Sequence, residues 1–507
     1  SACLAGEIPQ ALLAGDYGII PLCSIGVRFN EKNFEYDVYS LVKAFYPGRE
    51  VHICYEEEKK SFPEEFVVEY QKDRIHVAYR KEGQSQDQEE IALIHTWDRK
   101  MTKDRLKQGV YQLLRRLTGK ELPWGTLTGI RPTKLVMGMI ESGMTNPQIA
   151  QFMREEYYVS PQKAALGITI ANREREILKE IDYENGYSLY VGIPFCPSIC
   201  LYCSFSSYPY RQWEKRVGEY VDALKHEICE VSKMMKGRTL DTVYLGGGTP
   251  TTLPPEYLDE VLTCIEEHFP CDGLHEYTVE AGRPDSFTRE KLLAIRKHSV
   301  TRISVNPQTM NQKTLEIIGR RHTVEDTVNA FYLARECGFD NINMDLIVGL
   351  PGEGKDEVSH TLEEIRKLDP DSLTVHSLAI KRAARLNMFR DQYQEMTFEN
   401  NQEIMDMTTW CAYDMGMGPY YLYRQKNMAG NFENVGYAKV DKAGIYNILI
   451  MEEKQPIIAL GAGGSTKLVF DHGQRIERVE NVKDVTNYIS RIDEMIERKR
   501  IGITSYL

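Results

Sequence analysis

The segment Ser188-Leu-Tyr-Val-Gly-Ile-Pro-Phe-Cys196-Pro-Ser-Ile-Cys200-Leu-Tyr-Cys203 joins an apolar, strand-like run to three closely spaced cysteines. A structural zinc site takes four ligands, usually as two separated pairs. The sequence has neither a second Cys-x-x-Cys pair nor a His-x3-His run. Thiolates also bind iron–sulfur clusters. We therefore expect Cys196, Cys200 and Cys203 to hold an iron–sulfur cluster with one iron left open, with zinc or a redox thiol set as the alternatives.

Composition limits the protein class. The chain has 507 residues, 42% of them hydrophobic and 27% charged, which is globular composition and suggests about three domains. The formal net charge of −12 argues against bulk nucleic-acid binding, although a local basic pocket stays open. There is no run of about 20 apolar residues that would span a membrane, and the first residues do not resemble a secretory signal. With an odd number of cysteines, 11, a reducing cytoplasm is the expected location.

Strands alternate with helices from residue 186 to about 380, which is typical of a parallel sheet. Six strand candidates each precede a helical pattern, so the fold class we predict is α/β, with a partial (β/α)6 barrel. Active sites in such sheets lie at the carboxyl ends of the strands, where the cysteine loop falls. The strand candidates are 188–193, 242–245, 277–280, 302–306, 341–347 and 372–376.

Flanking patterns divide the rest of the chain. The predicted domains are an N-terminal α+β domain over 1–100, a helical segment over 101–185, the barrel over 186–385 and a C-terminal α+β domain over 386–507. In the first domain we predict strands at 27–29, 51–55 and 91–95, a hairpin of 66–70 with 75–79, and a loop over 83–90. In the last we predict short strands at 419–423 and 457–461 and a helix near 482–498.

Polar and glycine residues follow several of the predicted barrel strands. Gly246-Gly-Gly248 follows the second strand, so its backbone can approach a ligand closely and its carbonyls can accept hydrogen bonds from an ammonium group. Glu280 ends the third strand, and a carboxylate accepts hydrogen bonds from ribose hydroxyls. Asp345 lies in the fifth strand, where an unpaired charge would be costly. An open iron at the same rim suits S-adenosylmethionine, which chelates iron through its amine and carboxylate. Taken singly, each residue could equally be a salt-bridge partner or a helix cap.

The motifs together resemble those of a known family over residues 186 to about 380. They are the run from Tyr190 to Cys196, the three-cysteine motif with Tyr202, the Gly-Gly-Gly-Thr-Pro stretch at 246–250, Glu280, the pair Gln308 and Arg320 twelve positions apart, and Asp345-Leu-Ile-Val-Gly-Leu-Pro351. The chain resembles the radical S-adenosylmethionine superfamily. More narrowly, it resembles the oxygen-independent coproporphyrinogen III dehydrogenase group, in its HemZ-like branch.

The resemblance implies a set of site residues and cofactors. The cofactors are a [4Fe-4S] cluster on the three cysteines and S-adenosylmethionine, with a second S-adenosylmethionine as a further candidate. Tyr190 and Glu280 are the implied catalytic residues. The first S-adenosylmethionine would contact Tyr190, Tyr202, Gly247 and Glu280. A second ligand site would use Gly248, Thr249, Gln308, Arg320, Asp345 and Ala379.

The implied reaction is the conversion of two propionates of coproporphyrinogen III to vinyl groups, giving protoporphyrinogen IX. The implied partners are this tetrapyrrole and an electron donor such as a flavodoxin or a ferredoxin. Four substrate carboxylates need cations, and the candidates, each of which could be only a solvated charge, are Arg131, Lys134, Lys381, Arg382, Arg385, Arg424 and Lys426.

Two departures from the family patterns keep alternatives open. Phe205 occupies a position where the dehydrogenase proper often has a further cysteine. The stretch from Phe432 to Tyr437 lacks the His and Trp of the His-Asn-x-x-Tyr-Trp motif in related haem chaperones. The alternatives are a haem- or porphyrin-binding, chaperone-like protein and a radical enzyme with another tetrapyrrole reaction.

Overall fold

The computed structural model describes residues 24–83, 88–94, 97–129, 131–203, 205–379, 399–424 and 432–506. These residues form two compact units. One contains the described residues up to 129 together with Met144–Ala165, and the other contains the described residues of 130–143 and from Leu166 onward. No helix in the described part of the chain is long and apolar enough to cross a bilayer.

The first unit is built on a five-stranded sheet with the spatial order β2-β1-β3-β4-β5. β1 pairs in parallel with both β2 and β3, and β3, β4 and β5 form an antiparallel meander. The predicted hairpin is therefore present. Part of the predicted 83–90 loop is strand, because β5 begins at Gln88. Helices α1 and α2 pack their apolar residues into one core with this sheet. The elements are β1 Ile25–Phe29, α1 Glu35–Phe45, β2 Val51–Tyr55, β3 Glu64–Tyr70, β4 Arg74–Lys81, β5 Gln88–Leu93, α2 Arg99–Thr118 and α4 Asn146–Tyr157.

The second unit contains the predicted six parallel strands as consecutive neighbours of one sheet. These strands are β6 Gly186–Ile193, β9 Thr239–Gly247, β10 Glu276–Gly282, β11 Arg302–Val305, β12 Ile342–Val348 and β13 Ser372–Ser377. Between β6 and β9, the short strands β7 Phe195–Cys196 and β8 Tyr208–Pro209 pair in a separate parallel sheet. Almost every residue in them is buried, because helices cover such strands. The intervening helices are α6 Tyr210–Trp213, α7 Val217–Met234, α8 Pro255–His268, α9 Arg289–Arg296, α10 Gln312–Ile317, α11 Val324–Glu336 and α12 Lys355–Leu368.

Strands from the C-terminal part extend this sheet at both edges, to eleven strands in the described residues. β14 Gly418–Tyr423 and β15 Asn434–Ala438 are antiparallel additions beside β13. β16 Ile457–Leu460 is parallel to β6 and leads into the antiparallel β17 Ser465–Phe470 and β18 Arg475–Glu480. The predicted α/β class with a partial (β/α)6 barrel, an N-terminal α+β and helical extension and C-terminal α+β elements is confirmed.

The remaining helices belong to the second unit. They are α3 Pro132–Glu141, α5 Pro161–Ile177 (most of it), α13 Gln402–Asp414, α14 Ile445–Glu452, α15 Val485–Ser490 and α16 Ile492–Tyr506. The single helix predicted near 482–498 is two helices. Asp484 caps the first of them by accepting from the Asn487 amide at 2.8 Å, and Arg491 breaks the helical path.

Candidate functional site

The cysteine loop follows β6 and is fastened to the glycine turn, Gly246–Gly248, at the carboxyl end of β9. The Gly248 amide donates to the Ile193 carbonyl and the Thr249 amide to the Phe195 carbonyl, both at 2.7 Å. The Thr249 hydroxyl lies 3.6 Å from the Cys196 sulfur. Two adjacent strand ends therefore hold the first cysteine against the glycine turn.

Two buried arginines lie beside the Cys200 thiol. Nη1 of Arg283 lies 3.4 Å from the Cys200 sulfur. Its Nη2 and Nε donate to the Asp285 carboxylate at 2.7 and 2.9 Å. Arg320 hydrogen-bonds the same thiol, and its Nη1 donates to the Asn306 carbonyl. Burial works to raise the pKa of Cys200, but Arg320 and Arg283 outweigh it, so this pKa lies below its ordinary value. Burial raises the pKa of Cys196 to about 11.

The donor set fits a cluster better than one ion. Within the described residues, no three His, Cys, Asp or Glu side chains are grouped closely enough to hold a single metal ion. A four-iron cluster binds each thiolate at a different corner iron, so its cysteines are farther apart than the ligands of one zinc. All three thiols are unpaired in the structure, and the two arginines supply positive charge against the thiolates that the cluster requires.

The glycine turn leaves no room for side chains. A methyl group at Gly248 would lie 2.5 Å from the Phe195 carbonyl oxygen. Gly247 has φ of +104°, and a methyl group there would lie 3.2 Å from the Tyr190 phenol oxygen. One at Gly246 would lie 2.9 Å from Oε2 of Glu280. The predicted residues Tyr190, Gly247 and Glu280 thus meet at one point of the rim.

Carboxylates and a histidine continue along the same rim. His376 Nε2 lies 3.4 Å from Oδ2 of Asp345, and Asn343 donates to Oδ1 of Asp345 at 2.7 Å. Burial works against ionisation of Asp345, but His376 and Asn343 bring its pKa below the ordinary value. Burial and then the Asp345 charge raise the pKa of Glu280 to about 7. Asp345 is therefore ionised at neutral pH, whereas the pKa of Glu280 lies close to neutral pH.

The other predicted ligand residues are distributed around this rim. Gln308 has φ of +67°, bridges to β12 beside Asp345, and its buried Oε1 has no partner in the described residues. Arg320 likewise has a buried Nε without a partner there. Tyr202 packs against an apolar cluster that includes Leu201 and Ile318. Ala379 follows β13 and is half-buried.

Some of the residues at this site were not foreseen from the sequence. His376 is the last residue but one of β13, and Glu280 is likewise near the end of β10, so the strand position of His376 was the signal. Gly461-Ala-Gly-Gly464 follows β16, and a methyl group at Gly461 would lie 2.4 Å from the Gly192 carbonyl oxygen. The rings of Tyr190, Tyr244 and Tyr446 form a stack, the last two with centroids 4.5 Å apart.

The predicted substrate cations have different surroundings. Arg131 pairs with Glu453 at 2.6 Å, and Lys134 is exposed on α3. Arg424 is buried, and its burial lowers its pKa despite Glu433. The remaining candidates, Lys381, Arg382, Arg385 and Lys426, lie outside the described residues.

A family model described as the radical SAM superfamily matches residues 190–365, the part of the chain that carries this rim. The chain is 40% identical over 404 residues to the oxygen-independent coproporphyrinogen-III oxidase-like protein HemZ of Bacillus subtilis, covering 79% of this chain and 81% of HemZ. It is 37% identical over 195 residues to the heme chaperone HemW of the same organism, covering 38% of this chain and 51% of HemW.

The fold matches the solved structure of coproporphyrinogen III oxidase (HemN) from Escherichia coli with a TM-score of 0.51 at 22% identity, over 64% of this chain and 73% of that chain. The chain belongs to the radical SAM superfamily, in the oxygen-independent coproporphyrinogen III oxidase-like group that includes HemZ. Its cofactors are therefore those of the superfamily, a [4Fe-4S] cluster and S-adenosylmethionine, as the sequence predicted.

Proposed function

We propose that this protein carries out the oxygen-independent oxidative decarboxylation of coproporphyrinogen III, converting two propionates to vinyl groups and giving protoporphyrinogen IX. The observation that carries the proposal is the meeting of Cys196, Gly247, Glu280 and Tyr190 at one rim of the barrel. The names of its relatives point to the substrate, since HemZ and the E. coli protein are both described through coproporphyrinogen oxidation.

In this proposal, the chain's own residues bind and orient the cluster and S-adenosylmethionine. When bound, the cluster and S-adenosylmethionine would supply one electron and a strong hydrogen-abstracting group. Each propionate would lose one hydrogen atom to that group, release CO2 and give one electron to an acceptor. Cys196, Cys200 and Cys203 hold the cluster. Backbone carbonyls of the glycine turn accept hydrogen bonds from the ammonium of S-adenosylmethionine, and ionised Glu280 accepts hydrogen bonds from its ribose hydroxyls. The tyrosine stack keeps water away from this end of the barrel.

We assign the second ligand set to the same rim. Gly248, Thr249, Gln308, Arg320, Asp345 and Ala379 would contact a second S-adenosylmethionine or the substrate. The partnerless Oε1 of Gln308 and Nε of Arg320 support this assignment, because buried polar atoms normally have hydrogen-bond partners. We further propose a flavodoxin or ferredoxin as electron donor and the cytoplasm as location, where free thiols such as the nine in the described residues are stable.

The test is anaerobic turnover of the cluster-reconstituted protein with dithionite, S-adenosylmethionine and coproporphyrinogen III. We expect vinyl-bearing product by chromatography and none from Cys196→Ser, which should also lose the iron–sulfur absorbance. Cys264→Ser is the matched control, because this buried thiol lies on α8, away from the rim. Cleavage of S-adenosylmethionine without vinyl product would contradict the proposed reaction and indicate another substrate.

The similarity to HemW favours a second candidate, a haem-binding, chaperone-like role. That similarity is confined to 195 residues. The stretch from Phe432 to Tyr437 has no histidine that could bind haem iron. Stoichiometric haem binding with no cleavage of S-adenosylmethionine in the same assay would favour this role.

A further inference from the structure

A groove of about 800 Å³ is lined in part by the cysteine loop. Its floor includes Pro197, Ser198 and Ile199, which are the three residues between Cys196 and Cys200. Of all the residues assigned above to S-adenosylmethionine or to the second ligand, only Arg320 lines it. The groove therefore borders the cysteine loop without including the glycine turn or Glu280 in its lining.

The groove is locally basic in an acidic chain. Arg211, Arg320 and Arg321 line it, against one carboxylate, Glu316. Arg211 and Arg321 are exposed, and neither has an ion-pair partner among the described residues. The whole chain has a net charge of −12. Against that background, the guanidinium groups of Arg211 and Arg321 give the groove a local positive charge that favours an acidic partner.

Hydrogen bonds also connect the residues that line the groove to the cysteine loop and its thiols. Ser198 donates from its hydroxyl to the Gly319 carbonyl at 3.1 Å, and the Leu201 amide donates to the Ile318 carbonyl at 2.9 Å. Arg283 reaches from the Cys200 sulfur to the Ser198 carbonyl at 3.3 Å. A partner seated on Ser198 is thus separated from the thiols by a single thickness of loop.

We propose that this groove is the docking surface for an acidic electron-transfer protein of the flavodoxin kind, which reduces the cluster through the Pro197–Ile199 segment. The proposal rests on the proposed function, because only a cluster-bearing protein needs such a donor. One electron leaves the donor's reduced flavin and enters the cluster, and no bond forms or breaks. Arg211 and Arg321 steer the encounter, so they act on association and its salt dependence.

The test compares two reductants in cleavage of S-adenosylmethionine by the cluster-loaded protein. With reduced flavodoxin, the double variant Arg211→Glu, Arg321→Glu is expected to raise the KM for flavodoxin at least tenfold and to flatten its salt dependence. With dithionite, a small reductant, the same variant should cleave at the wild-type rate. Glu316→Lys, which removes the one opposing charge, should lower the KM.

Lys236→Glu is the matched control. Lys236 is exposed and has no ion-pair partner among the described residues, and it lies just before β9, at the end of that strand opposite the glycine turn. An unchanged KM for flavodoxin in the double variant, or an equal rise in Lys236→Glu, would overturn the docking site. A wild-type protein that fails to cleave with dithionite would instead overturn the proposed function.

Direct binding of oxidised flavodoxin, measured without turnover, should weaken in the double variant and would contradict the proposal if it did not. A parallel arm with reduced ferredoxin that alone responds to the charge changes would overturn the flavodoxin assignment.

Discussion

The guanidinium of Arg283 lies 3.4 Å from the sulfur of Cys200, and it reaches this thiol from the segment that follows β10, not from the cysteine loop itself. Its other nitrogens are held by Asp285 and Ser198, so the orientation of the fork is set. Hydrogen bonds and positive charge at the sulfur ligands are among the factors that set the potential of an iron–sulfur cluster.

Replacing Arg283 by Met is expected to shift the cluster's midpoint potential to a more negative value, because the reduced cluster loses a nearby positive charge. Arg283→Lys retains the charge but loses the fork, and we expect a smaller shift. The measurement is a redox titration of reconstituted protein followed by electron paramagnetic resonance. Arg289→Met, in an exposed pair with Glu336, is the control. An unchanged potential in Arg283→Met at full iron content would refute this role.

Binding of S-adenosylmethionine is expected to strengthen as pH rises through about 7. Burial and the Asp345 charge raise the pKa of Glu280 to about 7, and only the ionised carboxylate accepts from both ribose hydroxyls. Asp345→Asn should move the midpoint to lower pH, and Glu280→Gln should abolish the dependence. Isothermal titration from pH 6 to 8 measures this effect, and a wild-type affinity that is flat across this range would count against the assignment.

The same shift has the opposite sign for stability. A folded-state pKa above that of the unfolded chain means that the folded protein holds this proton more tightly between the two values. The contribution of Glu280 to the free energy of unfolding is therefore complete below its ordinary pKa and declines as pH rises to about 7.

Gly248→Ala is expected to remove binding of S-adenosylmethionine, because the added methyl group would lie 2.5 Å from the Phe195 carbonyl oxygen and would force the glycine turn away from the cysteine loop. Gly138→Ala is a matched control, since nothing lies within 4 Å of a methyl group there, and alanine in helix α3 should stabilise by about 0.5–1 kcal/mol. Binding by equilibrium dialysis and stability by urea unfolding measure the two effects. Normal binding by Gly248→Ala would show that the turn is not in contact with the ligand.

Lys499→Met is expected to cost about 3–5 kcal/mol of stability. Lys499 and Glu227 are fully buried and pair at 2.7 Å, so the substitution leaves the Glu227 side chain buried without its cation. Arg491→Ala, which removes an exposed pair with Glu494, should cost less than about 1 kcal/mol. Urea unfolding measures both, and equal costs would mean that water reaches Glu227.

The barrel could be predicted from the sequence because its strands are buried on both faces and are separated by helical periodicity, as in 242–245 and 341–347. The rim followed from chain position, since Glu280 lies toward the carboxyl end of β10 and the cysteine loop directly follows β6. The addition of β15 and β16 to opposite edges of that sheet could not be predicted, because strand pairing over such separations leaves no local pattern. Tyr446 joins the Tyr190 stack only because α14 packs against the barrel, and Arg283 meets Cys200 across 83 positions.

The Glu227 and Lys499 pair also joins residues that are synthesised far apart in time. Glu227 accepts from the Gly461 amide at 2.8 Å and from the Tyr488 hydroxyl at 2.6 Å, so residues far along the chain hold helix α7, which follows the cysteine loop. At about 5–20 residues per second, translation reaches Lys499 roughly 15 to 60 s after Cys196. During that interval the thiols are without this support, and we expect iron delivery to follow synthesis of the segment that carries Lys499.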